Sequence, residues 1–172
     1  MRIVREQTGY NWFLHNEIAA HSQNYQCQPQ YDFCVIDGPK NWTIDGCAFF
    51  LVDKLLKNQG WIVFDDYNWF YASAEQAGRS ATDGISHRQL SEAERNIPHI
   101  QEVFQLLVMQ HPDYTRFKIH AEGDWAWAQK TPSSDRKQIT LEYNYSYRDA
   151  LSRVYKIANK FLKLHPTPQV KR

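Results

Sequence analysis

The sequence has little net charge and no long apolar run. Its 172 residues include 20 lysines and arginines against 19 aspartates and glutamates, so the formal charge is +1. A nearly neutral chain has no large electrostatic footprint for nucleic acid or for an anionic membrane, although a local patch is compatible with it. We therefore expect neither nucleic acid nor a membrane among the partners.

Cysteines are also few. Cys27, Cys34 and Cys47 lack the paired C-x-x-C spacing of a zinc or redox site, and their odd number is typical of free thiols in a reducing compartment. Charged residues interrupt residues 1–20, so that stretch lacks the apolar segment of a signal peptide or a membrane span. These features lead us to expect a cytoplasmic protein.

Glycine is scarce as well, with seven residues and no G-x-G-x-x-G pattern or close variant. That pattern forms the phosphate-binding turn of dinucleotide-binding α/β sheets. What the chain does have is a hydrophobic fraction of 42% and an aromatic fraction of 15%. Its length and apolar content predict a single folded domain over residues 1–172.

Residues 31–69 form a strand–helix–strand unit in this interpretation. The apolar runs at 33–36 (FCVI) and 61–64 (WIVF) are typical of parallel strands buried on both faces. Between them, residues 43–57 carry apolar side chains at helical spacing. Gly60 is predicted to end this helix, and the second strand follows it.

Acidic residues follow both predicted strands: Asp37 the first, and Asp65 and Asp66 the second. Parallel neighbours lie about 4.8 Å apart, and ligands gather at the carboxyl ends of such strands. We therefore expect the three carboxylates to meet in one crevice. An all-oxygen set suits a hard divalent ion, most simply Mg²⁺. The alternative is that Asp37 and Asp65 cap strand ends or the following helices.

Residue patterns predict the remaining elements. These are a strand at 1–5, a helix at 11–22, loops at 23–30 and 71–90, a helix at 91–110, a hairpin of 116–121 with 125–130, a strand at 139–143 and a helix at 147–164. Ser91 and Glu94 have the spacing of a capping box. The last helix combines an apolar stripe with a basic outer face. The fold class predicted is α/β, with a mostly parallel sheet, an antiparallel hairpin at one edge and a C-terminal helix.

The motif Asp37-Gly-Pro-Lys40, followed by the predicted helix and by Gly60-Trp-Ile-Val-Phe-Asp65-Asp66, resembles the second half of a class I S-adenosylmethionine-dependent methyltransferase. It is most similar to metal-dependent O-methyltransferases of the catechol and caffeoyl-CoA type, and to bacterial relatives with an IDG-x-H motif. The resemblance implies a truncated Rossmann-like sheet and a Mg²⁺ ion held by Asp37, Asp65 and Asp66. It also implies that Lys40 is the general base that removes the proton of the acceptor hydroxyl.

Since a free lysine is a poor base at neutral pH, Mg²⁺ and partial burial would have to lower the pKa of Lys40. A solvated loop lysine is the alternative.

Other residues follow from the same resemblance. Thr8 and Gly9 lie where family members contact the adenine of S-adenosylmethionine, and Asp37 is grouped with them as a cofactor-binding residue. Residues 116–130 resemble the closing antiparallel strands of the family sheet. The side chains just beyond the acidic pair, Tyr67, Trp69 and Phe70, are candidate walls of the acceptor pocket. They are equally compatible with core packing.

The resemblance covers residues 2–130, with residues 131–172 as a C-terminal extension, and it lacks the glycine-rich half of the family domain. Residues 58–60 read Asn-Gln-Gly where relatives usually have Pro-Gly-Gly. The expected function is Mg²⁺-assisted methyl transfer to a small-molecule or sugar hydroxyl. Three interpretations stay open: a split enzyme completed by a second chain, a shortened enzyme, and a non-catalytic scaffold or binding subunit. An unpaired strand edge would favour association with that second chain or with a homo-oligomeric partner.

Overall fold

The computed structural model describes residues 3–76, 89–131, 140–144 and 147–162. Within these ranges the chain is α/β, with a five-stranded sheet and a separate two-stranded hairpin. The elements are α1 (Tyr10–Ala20), β1 (Ser22–Gln23), β2 (Gln26–Cys27), β3 (Tyr31–Ile36), α2 (Trp42–Leu55), β4 (Leu56–Phe64), α3 (Tyr71–Gln76), α4 (Glu92–Arg95), α5 (His99–Glu102), a π-helical segment (Val103–Val108), β5 (Tyr114–His120), β6 (Trp125–Lys130), β7 (Thr140–Asn144) and α6 (Tyr147–Leu162).

The large sheet is mixed, with the strand order β3-β4-β6-β5-β7. Strands β3 and β4 are parallel, and β7 is parallel to β5. Strand β6 runs antiparallel to both of its neighbours, β4 and β5. The predicted α/β class is confirmed, but the sheet is not mostly parallel. The β5–β6 hairpin also lies inside the sheet, because β7 forms the edge beyond it.

Several other predictions need correction. Gly60 does not end the helix, because α2 ends at Leu55 and Gly60 lies within β4, and the predicted loop at 23–30 contains part of the β1–β2 hairpin. Residues 3–5 form no strand, and residues 71–76 of the predicted long loop form helix α3, while 77–88 lie outside the described residues. The predicted helix at 91–110 is divided into α4, α5 and the π-helical segment. The division falls at Pro98, since proline disfavours the α conformation in the residue before it. The capping box at the start of α4 is present, with the Ser91 N–H donating to Glu94 at 2.8 Å.

The hydrophobic core lies between one face of the sheet and helices α1, α2 and α5 with the π-helical segment. Alternate strand residues such as Ile36, Ile62 and Phe64 point into it and are at least 97% buried. Phe49 of α2 lies against Phe64, with ring centroids 6.4 Å apart. Burying side chains of this size stabilises the fold by about 1.5–3 kcal/mol each.

The opposite face of the sheet is partly open. Phe33 and Val35 of β3 are 52% and 54% exposed, and Trp125 of β6 is 41% exposed. Between them, Trp61 and Trp127 meet edge to face, with centroids 6.4 Å apart. Among the residues that the structure describes, β3 is also an edge strand, paired only with β4. Within the described residues, the sheet therefore has one partly exposed apolar face and one unpaired edge.

A buried ion pair joins the sheet to helix α2. Lys130 Nζ of β6 lies 3.0 Å from Asp53 Oδ1, and both side chains are less than one fifth exposed. The Tyr114 hydroxyl donates to the same carboxylate oxygen at 3.1 Å. Burial and the neighbouring Asp53 raise the pKa of Tyr114.

Replacing Asp53 with alanine should lower the free energy of unfolding by about 3 kcal/mol, because it leaves the Lys130 ammonium buried without a counter-charge. Asp32→Ala is the matched control, since Lys57 Nζ and Asp32 Oδ2 also lie 3.0 Å apart but are 44% and 83% exposed. The control should cost less than about 1 kcal/mol. Urea denaturation measures both, and equal losses would contradict the account.

Candidate functional site

The ends of β3 and β4 bring the predicted acidic residues together. Ile36 pairs with Phe64 in the parallel register, and the Asp65 N–H donates to the Ile36 carbonyl at 3.1 Å. Asp37, Asp65 and Asp66 each place a carboxylate oxygen within 4.8 Å of the others. The register of the two strands thus concentrates three negative charges in one crevice.

Lys40 lies between two of these carboxylates. Its Nζ donates to Asp37 Oδ1 and lies 3.0 Å from Asp66 Oδ2. The lysine side chain is 11% exposed. Burial alone would lower the pKa of Lys40, but the hydrogen bonds to Asp37 and Asp66 outweigh it and the pKa is raised. In this arrangement the two carboxylates favour the protonated form of Lys40, whereas a general base needs a lowered pKa.

The loop that carries Asp37 and Lys40 is held from below by a buried carboxylate. Asp45, in the first turn of α2, is fully buried. It accepts a hydrogen bond from the Asn41 N–H at 2.7 Å and another from the Tyr10 hydroxyl. Burial raises the pKa of Asp45, and these hydrogen bonds oppose the rise. The pKa of Tyr10 is raised by burial and by Asp45.

Glycine is required at position 38 because Asp45 and Tyr10 lie very close to the backbone there. A Cβ at position 38 would lie 1.9 Å from Asp45 Oδ1 and 2.6 Å from the Tyr10 hydroxyl. The neighbouring loop residue Lys40 has a φ of 61°, and Asp66 has a φ of 56°. Left-handed backbone at non-glycine residues costs about 1–3 kcal/mol each and persists where the surroundings enforce it.

Further contacts fix the same loop. Asn41 caps α2, its Oδ1 accepting from the N–H groups of Thr43 and Ile44 at 2.9 and 3.2 Å. His99 Nδ1 accepts from the Trp42 N–H at 3.0 Å, so its Nε2 is the protonated nitrogen and donates to the Glu94 carbonyl at 2.7 Å. These bonds connect α2 with α4 and α5.

The loop after β4 is tied to the β5–β6 turn. The Tyr67 N–H donates to the Asp124 carbonyl at 2.8 Å, and the Asn68 N–H donates to Asp124 Oδ1 at 3.0 Å. The Tyr71 hydroxyl donates to the Pro39 carbonyl at 2.9 Å. The loops after β3 and β4, which carry the acidic residues of the crevice, are therefore both held by hydrogen bonds to neighbouring segments.

The predicted pocket walls lie in different environments. Tyr67 is 2% exposed and packs edge to face on Phe104 with centroids 5.8 Å apart, so it is part of the core and does not line an open pocket. Trp69 is half-buried against Tyr71. Phe70 is 36% exposed and remains available to a ligand.

The predicted donor-contacting residues lie before α1. Thr8 donates from both its N–H and its hydroxyl to Glu6, at 3.2 and 2.8 Å. Gly9 is the N-cap of α1, with a φ of 108°. An apolar cleft of about 360 Å³ lies between α1 and the free edge of β3, and neither Thr8 nor Gly9 lines it. It is lined by Tyr10, Phe13, Leu14, Val35, Ile36, Asp37, Gly38 and Val52.

No family model, curated protein or solved structure gives a significant match to this chain. Three carboxylates and one ammonium leave a formal charge of −2 if all are ionised. That deficit suits one divalent cation.

Sequence reasoning missed the residues that position the loop. The sequence patterns assign no role to Asp45, Tyr10 or His99. An acidic residue in the first turn of a helix is common without any tertiary contact. The signal in the sequence was the glycine of Asp37-Gly-Pro-Lys40, which indicates a close approach but does not name the group that approaches.

Gly38→Ala should destabilise the fold by about 1–3 kcal/mol, because the added methyl group would displace Asp45 or Tyr10. Gly46→Ala is the control, since its Cβ would meet the end of the flexible Leu107 side chain at 3.0 Å and Val103 Cγ2 at an ordinary contact distance of 3.8 Å. Alanine also favours the helix at position 46, so that change should be nearly neutral. Thermal or urea unfolding measures the difference. A Gly38→Ala variant as stable as Gly46→Ala would contradict the loop packing described above.

Proposed function

We propose that the chain is the metal- and acceptor-binding half of a class I S-adenosylmethionine-dependent O-methyltransferase. It would act on a small-molecule or saccharide hydroxyl, with the methyl donor gripped mainly by a glycine-rich half supplied separately. The observation that carries the proposal is the convergence of Asp37, Asp65 and Asp66 around Lys40 at the carboxyl ends of two parallel strands.

The three carboxylates are suitable ligands for Mg²⁺. Oxygens bound to one Mg²⁺ at about 2.1 Å lie at most about 4.2 Å apart, so carboxylate oxygens already within 4.8 Å of one another need only a small adjustment. Mg²⁺ with the Lys40 ammonium would balance the formal charge of the three carboxylates. Asp37 and Asp66 would have to exchange their contacts with Lys40 for the ion.

That exchange would also change Lys40. The hydrogen bonds to Asp37 and Asp66 are what raise its pKa. Released from them, the buried Nζ would hold its proton less tightly, because burial disfavours the charged form. The base role proposed for Lys40 therefore depends on its release. Bound Mg²⁺ would supply Lewis-acid stabilisation of the acceptor oxygen as that oxygen loses its proton.

The apolar cleft beside Asp37 supports the donor side of the proposal. Its volume of about 360 Å³ is within the range typical of small-molecule pockets, about 300–1,000 Å³. Tyr10 and Phe13 line this cleft and also a second one next to Val4 and Glu6. A donor held along these clefts would lie near Asp37, which is grouped with Thr8 and Gly9 as a donor-binding residue.

The open side of the sheet supports the need for a second half. Phe33 and Val35 are exposed on the open face of β3, and the edge of β3 opposite β4 is unpaired among the described residues. A polypeptide that added strands beside β3 and helices over the open face would complete the sheet and bury this apolar surface. The insertion of β6 antiparallel between β4 and β5 agrees with the closing strands that the family resemblance implies.

A non-catalytic scaffold is the second candidate, and the position of Lys40 favours it. Because its ammonium already neutralises part of the acidic cluster, the crevice is stable without a metal. In that case the carboxylates are structural, and the open face alone carries the function as a partner contact.

Titration calorimetry with Mg²⁺ distinguishes the two candidates. The enzyme proposal predicts a binding heat for the full chain that Asp65→Ala weakens by more than about tenfold, since a ligand is lost. Asp32→Ala is the control. Asp32 is an exposed aspartate on β3, the strand that leads to Asp37, and its replacement should leave Mg²⁺ binding unchanged.

Lys40→Met sharpens the same experiment, because methionine keeps the side-chain length and the left-handed backbone strain but removes the charge. Tighter Mg²⁺ binding in Lys40→Met, with clear binding in the unmodified chain, supports the proposal. If Lys40→Met binds Mg²⁺ and the unmodified chain does not, Lys40 is the permanent counter-ion of the carboxylates. That result, or no binding by either protein, would reject the metal-dependent enzyme and favour the scaffold.

A further inference from the structure

Helix α6 (Tyr147–Leu162) presents large apolar side chains to solvent. All side chains of residues 151–158 are exposed. Leu151, Val154, Tyr155 and Ile157 are 50%, 62%, 67% and 57% exposed. An apolar surface of this kind on one helix marks an interaction site.

The sequence of α6 separates apolar from polar residues around the helix. Nine of its 16 residues are apolar, and at 100° per residue they fall within about 160° of the circumference. This surface is wider than the narrow a/d seam of a coiled coil, and 16 residues supply only about two heptads. A broad, flat contact therefore fits α6 better than pairing with another copy of the helix.

The polar side of α6 is basic. The helix contains Arg148, Arg153, Lys156 and Lys160 against Asp149, a net charge of +3. Because the whole chain has a formal charge of +1, the rest of the chain carries −2. The nearly neutral charge of the whole chain therefore includes a local positive patch on α6. The composition alone was compatible with such a patch.

We propose that α6 binds the surface of an anionic lipid bilayer, lying in the plane of the interface. The apolar side would enter the headgroup region to a depth of about 5–10 Å, and the basic side would remain with the anionic headgroups. Charge complementarity selects this partner, since a low mean hydropathy with basic and aromatic residues is typical of interfacial helices. Among the residues described, no helix is long and apolar enough to cross a membrane.

This inference is independent of the proposed enzyme activity, because α6 contributes none of the residues of the crevice. A failure to bind membranes would therefore say nothing about Mg²⁺ binding, and a failure to bind Mg²⁺ would say nothing about α6. It replaces the expectation, drawn from net charge, that no membrane is a partner.

Co-sedimentation of the full chain with vesicles tests the proposal. Binding to phosphatidylcholine–phosphatidylserine vesicles should be strong at low salt, weaker at high salt, and much weaker with phosphatidylcholine alone. Lys156→Gln should weaken binding by about fivefold, because one basic residue near the surface is removed.

Two exposed positions separate insertion from simple charge attraction. Val154→Asp and Ser152→Asp add the same charge, but residue 154 lies on the apolar side and residue 152 on the polar side. Val154→Asp should weaken binding by more than about tenfold, whereas Ser152→Asp should resemble Lys156→Gln. Neither residue is buried, so folding should be unchanged.

Equal effects of Val154→Asp and Ser152→Asp would overturn insertion of the apolar side. Failure to bind anionic vesicles at low salt would overturn the proposal altogether. Analytical ultracentrifugation without lipid provides the remaining outcome: a dimer that Val154→Asp dissociates, with no vesicle binding, would assign α6 to a second copy of the chain and reject the membrane.

Discussion

The in-register pairing of β3 with β4 is the constraint on which the crevice depends. Ile36 opposite Phe64 places the residues after both strands side by side, and in this sequence those residues are acidic. Carboxylates held this close repel one another unless a cation compensates them. The neighbouring loops can be understood as the structure that supplies and positions that compensation.

Lys40 provides the compensation within the chain, and Asp45 fixes the loop from which Lys40 reaches the crevice. Asp45 occupies the space that a side chain at position 38 would need, and it bonds the Asn41 N–H directly after Lys40. The loop therefore keeps its left-handed residue because α2, α1 and the Tyr71 hydroxyl hold it from three sides. A cation that enters the crevice competes with a preformed internal ion pair.

Local pattern predicted the part of the fold that builds the crevice, and long-range contacts decided what it missed. The apolar runs of β3 and β4 and the spacing of α2 were sufficient to bring Asp37, Asp65 and Asp66 together. The periodic pattern predicts one helix over 91–110, but Pro98 divides it, because proline disfavours the α conformation in the residue before it. The contact of Tyr10 with Asp45, the burial of Tyr67 and the pairing of β7 with β5 depend on residues far apart in the chain.

The central claim is that a divalent cation binds in the crevice and replaces Lys40 as the partner of Asp37 and Asp66. A crystal structure of the chain grown with Mn²⁺, which substitutes for Mg²⁺ at oxygen sites and scatters anomalously, tests it most directly. The account predicts an anomalous peak among the three carboxylates, with Lys40 Nζ displaced from both partners. A crevice without the peak at saturating Mn²⁺, and with Lys40 still bridging Asp37 and Asp66, would contradict it.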